Sequence, residues 1–295
     1  MCTGNHENSG ISCKIRRVNG QYLNISLGLF LICCIIGVFL IGDSAFAAAV
    51  EDSPADSQTA VQTPQTPEDR QDGKWITVKG EKYYQFPDGT RAKKQFVEIQ
   101  GKRYYFGKKG VMQTGWMKQG KDYYYFDRAS GVQKLGGKVD GISINKKGKA
   151  KKTAYSKKKL AAMIEAKKIV NKVTKPTDKK SEKLKKVFNW VLKHPYKRYR
   201  ILAQARRKKG WEMDYANDIY KNGQGCCVSE SCALAFLAKE CGYKKVYVCD
   251  DTGHAWVEIN GKVYDTLFAE TKGYNKYYGS DYKTARLHRV NKHKI

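Results

Sequence analysis

The spacing of apolar positions changes along the chain, and each change marks a different kind of segment. An uncharged, largely apolar run extends from Ile25 to Ile41. Residues 73–131 carry aromatic clusters separated by glycines, with a period of about 20 residues. From about residue 154, apolar residues recur at three- and four-residue steps, as in amphipathic helices. The pattern predicts an apolar N-terminal segment, then β-hairpin repeats, then a domain that opens with helices.

The N-terminal apolar run has the layout of an export signal. It follows Lys14, Arg16 and Arg17. Its 17 residues exceed the usual signal-peptide core of about 7–15 and only just reach the length of a spanning helix. Ala45-Phe46-Ala47 supplies the small-x-small pattern that a signal peptidase cleaves. Residues 1–47 are therefore predicted to be a signal peptide, with a retained membrane anchor as the alternative.

Charge and composition separate the export segment from the rest. Residues 48–72 contain three of the six prolines and no apolar periodicity, which predicts a disordered linker. The net charge of +28 is the sum of −4 in residues 1–72 and +32 in residues 73–295. For an exported protein, such basicity favours anionic wall polymers or phospholipid headgroups over nucleic acid, and no aromatic–basic nucleic-acid motif is present. We expect no nucleic-acid partner, and membrane contact only through the N-terminal segment.

Each repeat combines a turn, an aromatic cluster and a second turn. The units are marked by Trp75, Phe96 and Trp116, then by Gly80, Gly101 and Gly120, then by the clusters 83–86, 104–106 and 123–126. One hairpin of this size cannot bury its aromatic face, so neighbouring hairpins should stack into a solenoid over residues 73–150. The aromatic residues are first of all structural. Candidates for ligand contact are Trp75, Tyr105, Trp116 and Tyr124.

The unit at Gly115–Phe126 resembles the cell-wall or choline-binding repeats of Gram-positive surface proteins. The resemblance implies aromatic cages between units that bind choline or glucan. In this chain Lys82, Arg103 and Asp122 stand where that family usually has a tryptophan. Two interpretations stay open: a packed spacer, and a module that binds a wall polymer or carbohydrate.

Residues 154–295 mix helical and strand patterns, which predicts an α+β domain. Two helical runs flank Pro176, and a small-residue, apolar helix through Ser231–Cys241 ends at Gly242. Cys226 and Cys227 lie near the start of this helix. The partial positive charge at a helix N-terminus lowers the pKa of a thiol, so both are candidate nucleophiles.

The turn at Asn260-Gly261 decides which residues of its two strands face each other. Asn-Gly is a strong signal for a two-residue hairpin, so Ile259 should pair with Lys262. Continuing this register places Asp265 diagonal to His254 on one face, about 7–8 Å apart between backbones. A carboxylate can reach an imidazole over that distance. The sequence therefore predicts a His–Asp pair.

A cysteine at a helix start with a His–Asp pair on adjacent strands is an arrangement for acyl transfer through a thioester. The imidazole takes the thiol proton and later returns it, while the carboxylate orients the ring. Each member taken singly has a structural explanation, since a buried cysteine is usually inert and an aspartate often caps a turn. Their order along the chain favours a catalytic triad.

Gly225–Gly242, followed by 253–259 and Val263-Tyr264-Asp265, resembles the transglutaminase-like superfamily. That resemblance implies a papain-like fold with catalytic Cys, His and Asp in this chain order. In the family the nucleophile typically stands 15 residues before the glycine that ends its helix. Cys227 has that separation from Gly242 and Cys226 does not. The resemblance therefore favours Cys227, with Cys226 as the alternative.

Together these features predict an exported, wall-associated cysteine acyltransferase that acts on a glutamine-type amide of a protein or peptide. A cysteine peptidase or amidase with the same triad is the first alternative, and a non-catalytic wall-binding surface protein is the second. No metal or organic cofactor is expected, because no CxxC or short CxH spacing suggests zinc and no dense acidic loop suggests calcium. Five cysteines follow residue 47, an odd number that leaves at least one thiol unpaired.

Overall fold

A computed structural model of the chain describes residues 72–295. The predicted signal peptide or anchor of residues 1–47, and the linker up to residue 71, lie outside the described residues. Within the described part of the chain, no helix is both long and apolar enough to cross a membrane.

Four antiparallel hairpins form the first part of the described chain. Their strands are β1 (Lys74–Val78), β2 (Glu81–Gln85), β3 (Gln95–Ile99), β4 (Lys102–Phe106), β5 (Gly115–Gln119), β6 (Asp122–Phe126), β7 (Lys138–Val139) and β8 (Ile142–Ser143). The first three hairpins begin 20 or 21 residues apart along the chain, as the aromatic period predicts.

The hairpin turns contain glycine for a steric reason. In the first hairpin both central residues, Lys79 and Gly80, have positive φ (51° and 82°), which is the type I′ conformation. In the third hairpin only the first central residue, Gly120, has positive φ (58°), as in a type II′ turn. Glycine carries no Cβ to oppose this conformation, and both turn types match the twist of the paired strands.

Neighbouring hairpins are joined by aromatic stacking and by backbone hydrogen bonds. Trp75 of the first hairpin lies 5.1 Å from Tyr104 of the second, between ring centroids. Phe96 of the second lies 5.3 Å from Tyr124 of the third. The amide of Met112 donates to the carbonyl of Lys82. Each aromatic face is thus covered by the next unit, as expected for a solenoid.

The C-terminal domain consists of helices packed on an antiparallel sheet. Its first elements are α1 (Ala154–Val173), α2 (Lys180–Val191), α3 (Leu202–Ala205), α4 (Trp211–Asn222), α5 (Cys227–Glu240), β9 (Val246–Asp250), β10 (Ala255–Ile259) and β11 (Lys262–Tyr264). There follow α6 (Thr266–Lys272), α7 (Tyr274–Tyr277), β12 (Tyr278–Ser280), α8 (Tyr282–Ala285) and β13 (Asn291–Lys294). The strand order is β12-β11-β10-β9-β13.

Helix α5 is the centre of this domain. Most of its residues are buried, and it packs against α1, α2, α4 and the sheet. Its sequence consists largely of small and apolar residues, so that every face can contact a neighbour. It begins at Cys227, earlier than the predicted helix through 231–241, and Gly242 after it adopts the left-handed conformation (φ +92°) that the sequence predicts. The pair Cys226 and Cys227 therefore lies at its first turn.

The third and fourth hairpins dock on the C-terminal domain. Trp116 is only 1% exposed, belongs to the same hydrophobic core as Leu160 of α1, and donates from Nε1 to Asp140 at 3.0 Å. Asp140 also pairs with Lys239 at 2.8 Å. The last repeats and the C-terminal domain therefore share one hydrophobic core. The ion pair of Asp140 with Lys239 adds a charged contact between them.

Candidate active site

The hairpin of β10 and β11 brings the predicted histidine and aspartate together. Ile259 pairs with Lys262, so the register inferred from Asn-Gly is confirmed. His254 lies directly before β10 and Asp265 directly after β11, one residue outside the strands in which they were predicted. His254 Nε2 lies 2.6 Å from Asp265 Oδ2. The pair is thus a direct hydrogen bond.

Asp265 holds the imidazole from a rigid position. It is 2% exposed, and its Oδ1 accepts the backbone N–H of Phe268, which caps α6. The ring of Phe268 is stacked on that of His254, with centroids 3.8 Å apart and planes 8° from parallel. One carboxylate oxygen therefore anchors a helix while the other orients the histidine. The remaining ring nitrogen, Nδ1, is left for a second partner.

The two thiols and His254 line one cavity of about 330 Å³. Cys226 is the N-cap of α5 and Cys227 is its first helical residue. The backbone N–H of Ala255, the residue after His254, faces the sulfur of Cys227 and lowers the pKa of its thiol. Cys227 therefore packs against the strand that carries the histidine, and the structure brings Cys226, Cys227, His254 and Asp265 into one neighbourhood.

The two adjacent thiols interact, and this makes them unequal acids. The neighbouring thiol of Cys227, together with the amides of Ser229 and Val228, lowers the pKa of the Cys226 thiol. The interaction with Cys226 and the burial of its own sulfur raise the pKa of Cys227. Because the two titrations are coupled, ionisation of one thiol opposes ionisation of the other. The site therefore favours a thiolate at Cys226 over one at Cys227.

A hydrogen-bond network that was not predicted from the sequence contacts the thiols on the side of Cys226. Arg200 forms two hydrogen bonds with the buried carboxylate of Asp218, at 2.6 and 2.7 Å. Asp218 Oδ2 accepts the hydroxyl of Ser229 at 2.7 Å, and that hydroxyl lies 3.7 Å from the sulfur of Cys226. One signal was available, because Asp218 lies on the apolar face of α4 at helical spacing from Tyr215.

A second buried carboxylate lies one turn into α5. Glu230 is 3% exposed, and its Oε2 accepts the hydroxyl of Thr266, the residue after Asp265, at 2.5 Å. Burial raises the pKa of Glu230 to about 8, against the lowering effect of this hydrogen bond. Glu230 is therefore mostly protonated at neutral pH, and it adds no full negative charge beside Asp265.

The four aromatic candidates of the repeats have different environments. Trp116 and Tyr105 are buried (1% and 5% exposed), Tyr124 is half-buried, and Trp75 is 41% exposed. Because a buried ring cannot meet a ligand, the roles of Trp116 and Tyr105 are structural. Trp75 instead lines a pocket between the first two hairpins together with Tyr104.

The remaining thiols are structural too. Cys232, Cys241 and Cys249 are buried, and no disulfide forms among the five cysteines of the described residues. Residues 72–295 contain no group of three His, Cys, Asp or Glu side chains arranged to hold a metal ion.

Two family models match the chain. Residues 94–135 match the choline-binding repeat, and residues 167–274 match the transglutaminase-like superfamily. Both resemblances inferred from the sequence are confirmed, in the order along the chain in which they were inferred. None of the curated proteins matches the chain.

Solved structures of choline-binding proteins are similar to part of the chain. CbpJ from Streptococcus pneumoniae is 28% identical over 26% of this chain and 26% of its own length, with a TM-score of 0.25. Choline-binding protein F from the same organism, solved in the presence of a peptidoglycan analogue, is 29% identical over 26% of this chain and 27% of its own, with a TM-score of 0.24. This chain thus spans about a quarter of the length of these two relatives.

Proposed function

We propose that the protein is an exported, wall-associated cysteine acyltransferase that forms a thioester on Cys227 with a glutamine-type amide. The observation that carries the proposal is the shared cavity: two thiols and His254 line it, and Asp265 binds Nε2 of that histidine. The match of residues 167–274 to the transglutaminase-like superfamily supports the same class of chemistry.

Cys227 is the proposed nucleophile because of what surrounds each sulfur. The sulfur of Cys227 contacts the backbone beside His254, whereas that of Cys226 faces Ser229 and the supporting network. The proton of Cys227 can pass to Nδ1 of His254, because Nε2 is engaged by Asp265.

The reaction follows from these positions. The sulfur of Cys227 attacks the carboxamide carbon while the imidazole takes the thiol proton, and a tetrahedral intermediate forms. The backbone N–H of Cys227, at the start of α5, is the proposed donor to the oxyanion, since helix N-termini carry partial positive charge. The C–N bond then breaks, the imidazolium gives its proton to the departing ammonia, and a thioester remains. A lysine amine attacks the thioester and releases the thiol.

Placement at the cell wall completes the proposal. The match of residues 94–135 to the choline-binding repeat supports attachment to a wall polymer. The buried contacts of Trp116 hold the repeats against the catalytic domain, so attachment would keep the active site at the wall. The expected substrates are therefore proteins or peptides of the cell surface.

The test uses the full-length protein, a peptide with one glutamine, and a fluorescent primary amine. We expect ammonia release together with incorporation of the amine into the peptide. Cys227→Ala should reduce both by roughly 10³-fold or more, because it removes the nucleophile. Cys226→Ala is the matched control, and it should retain measurable incorporation because the nucleophile and His254 remain.

Each alternative gives a different result. Ammonia release without incorporation would assign water as the acceptor and make the protein an amidase. Loss of activity in Cys226→Ala with activity kept in Cys227→Ala would move the nucleophile to Cys226. If iodoacetamide labels neither thiol faster than Cys232, as read by peptide mapping, the catalytic proposal is wrong and a non-catalytic wall-binding protein remains.

A further inference from the structure

A groove of about 490 Å³ separates the repeats from the helices of the C-terminal domain. The repeat side contributes the turn after β1, the segment before β5 and Arg128. The domain side contributes α1, the α1–α2 connection, Lys183 of α2 and the end of α5. Of the described residues, none lines both this groove and the cavity around the thiols. The groove is therefore a separate site.

The groove carries an excess of positive charge. Five cationic and two acidic side chains line it: Lys82, Arg128, Lys167, Lys175, Lys183, Glu81 and Glu240. Glu240 is already bound by Arg128, at 2.8 Å. Lys82, Lys175 and Lys183 form no ion pair with a carboxylate anywhere in residues 72–295. The uncompensated charge attracts an anion.

Two of the cations are held in place with few partners. The ammonium of Lys167 donates to the carbonyl of Thr114 at 2.6 Å, and burial lowers the pKa of this lysine. Arg128 binds Glu240 through Nη2, while its Nη1 is buried without a hydrogen-bond partner among the described residues. Both cations are therefore fixed at the wall of the groove and add to its positive potential.

An aromatic pocket opens directly beside the groove. It has a volume of about 420 Å³ and is lined by Trp75, Tyr104 and Ser130. Lys82 and Met112 line both the pocket and the groove, so the two are adjacent. The exposed face of Trp75 offers a flat apolar surface, and the ammonium of Lys82 stands at the junction.

The charges in and near the repeats disfavour a cationic ligand. Lys82 would repel a quaternary ammonium placed in the pocket of Trp75. In the next unit, the guanidinium of Arg103 already lies over the ring of Phe96, 4.3 Å from its centroid. That is the place a ligand cation would take in a cation–π contact. The chemistry that fits is a sugar-like ring joined to an anionic group.

We propose that the pocket and groove together bind an anionic glycan, with a sugar ring on Trp75 and its phosphate or carboxylate groups at Lys82 and Lys183. Lys175 and Lys167 extend the path along the groove for further anionic groups of the same polymer. The ligand class is thus a negatively charged wall or capsule-type polymer, and choline is not its determinant.

The test is isothermal titration calorimetry on the full-length protein with Cys227→Ala, so that the result does not depend on catalysis. The probes are a glycosylated poly(glycerol phosphate), polygalacturonate, neutral dextran and choline chloride. We expect a polyanion to bind at least roughly tenfold more tightly than dextran or choline. Binding of only the phosphate polymer, or of only polygalacturonate, identifies which anion the site takes.

Variants locate the site. The double variant Lys82→Gln/Lys183→Gln should weaken binding roughly tenfold, and so should the single variant Trp75→Ala. In the double variant the affinity should also depend less on salt concentration. The matched control is Lys146→Gln/Lys147→Gln, which removes the same charge from the exposed surface and should change affinity less than about twofold. Equal melting temperatures establish that the variants fold. An equal loss in control and groove variants, or displacement of the polymer by choline, overturns the proposal.

Discussion

The cavity around the thiols and the groove between the repeats and the C-terminal domain differ in how many of their charged side chains form ion pairs. At the cavity three of the charged residues are paired with one another or with a neighbour: Arg200 binds Asp218, Arg206 binds Asp250, and His254 binds Asp265. Arg198 is the exception, since within residues 72–295 it donates only to the hydroxyl of Tyr196, at 3.4 Å. In the groove, Lys82, Lys175 and Lys183 form no ion pair with any carboxylate of the described residues.

The contrast agrees with the functions proposed for the two places. Covalent chemistry needs side chains held to within a fraction of an ångström, and paired buried charges hold each other's orientation. Recognition of a charged polymer needs net charge that is not already neutralised within the protein. Pairing therefore indicates a site built for geometry, and lack of pairing indicates a site built for attraction.

The largest expected effect comes from breaking the pair at His254. Asp265→Asn replaces the acceptor at Nε2 with an amide that donates, which favours the tautomer with its proton on Nδ1. That imidazole cannot accept the thiol proton, so kcat should fall by roughly 10³–10⁴-fold with KM little changed. Steady-state amine incorporation measures it.

Asp281→Asn is the matched control for that change. Asp281 also caps a short helix, accepting the backbone N–H of Thr284 at 2.7 Å, but it has no histidine partner. Activity of this variant should stay within about twofold of the parent. A similar loss in both variants would mean that Asp265 matters only as a helix cap.

The next effect concerns stability. Asp218→Asn leaves Arg200 without its carboxylate and weakens the bond to Ser229. The free energy of unfolding should fall by about 2–3 kcal/mol, less than for a fully buried pair because the Arg200 side chain is 31% exposed. Lys183→Gln in the groove should change it by less than about 0.5 kcal/mol, because no ion pair is lost. Urea unfolding measures both, and equal losses would remove the distinction between the two places.

The smallest effect is a dependence on pH that comes from Glu230. Its pKa is about 8 in the folded protein and near 4.5 in an unfolded chain. Between these values the folded carboxyl binds more protons than the unfolded one, so the stability that Glu230 contributes should fall as pH rises through this window and level off above it. The lowered pKa of Cys226 contributes in the opposite direction, so the comparison is between variants and not with a flat line. Glu230→Gln removes this contribution of Glu230, so the free energy of unfolding of this variant, compared with that of wild type, should increase from pH 5 to pH 8.

Urea unfolding at several pH values tests this, with Glu165→Gln on α1 as the control. Glu165 is half-exposed and pairs with Lys168 at its surface, so its replacement should leave the fall with pH in place. If Glu230→Gln and wild type show the same change of stability with pH, Glu230 is ionised in the folded protein.

Local rules were sufficient for most of the fold. Each Gly-containing turn requires positive φ, and the alternation of aromatic and polar residues defines the strands on either side, so hairpins such as β1–β2 could be predicted from neighbouring residues. The register of β10 and β11 followed from Asn260-Gly261 for the same reason. The start of α5 was predicted several residues too late. Val228, Ser229 and Glu230 follow a glycine-containing segment and have no apolar spacing that would indicate a helix.

The amino-acid sequence by itself determined the order of repeats and domain, the hairpin register, and the candidates Cys226, Cys227, His254 and Asp265, because each depends on residues close together in the chain. Only the tertiary structure decided that the thiols and His254 share a cavity, and that Trp116 is buried while Trp75 is exposed. It also decided which charges are paired. Burial and pairing depend on segments distant in sequence, such as Arg128 with Glu240, and packing brings those together.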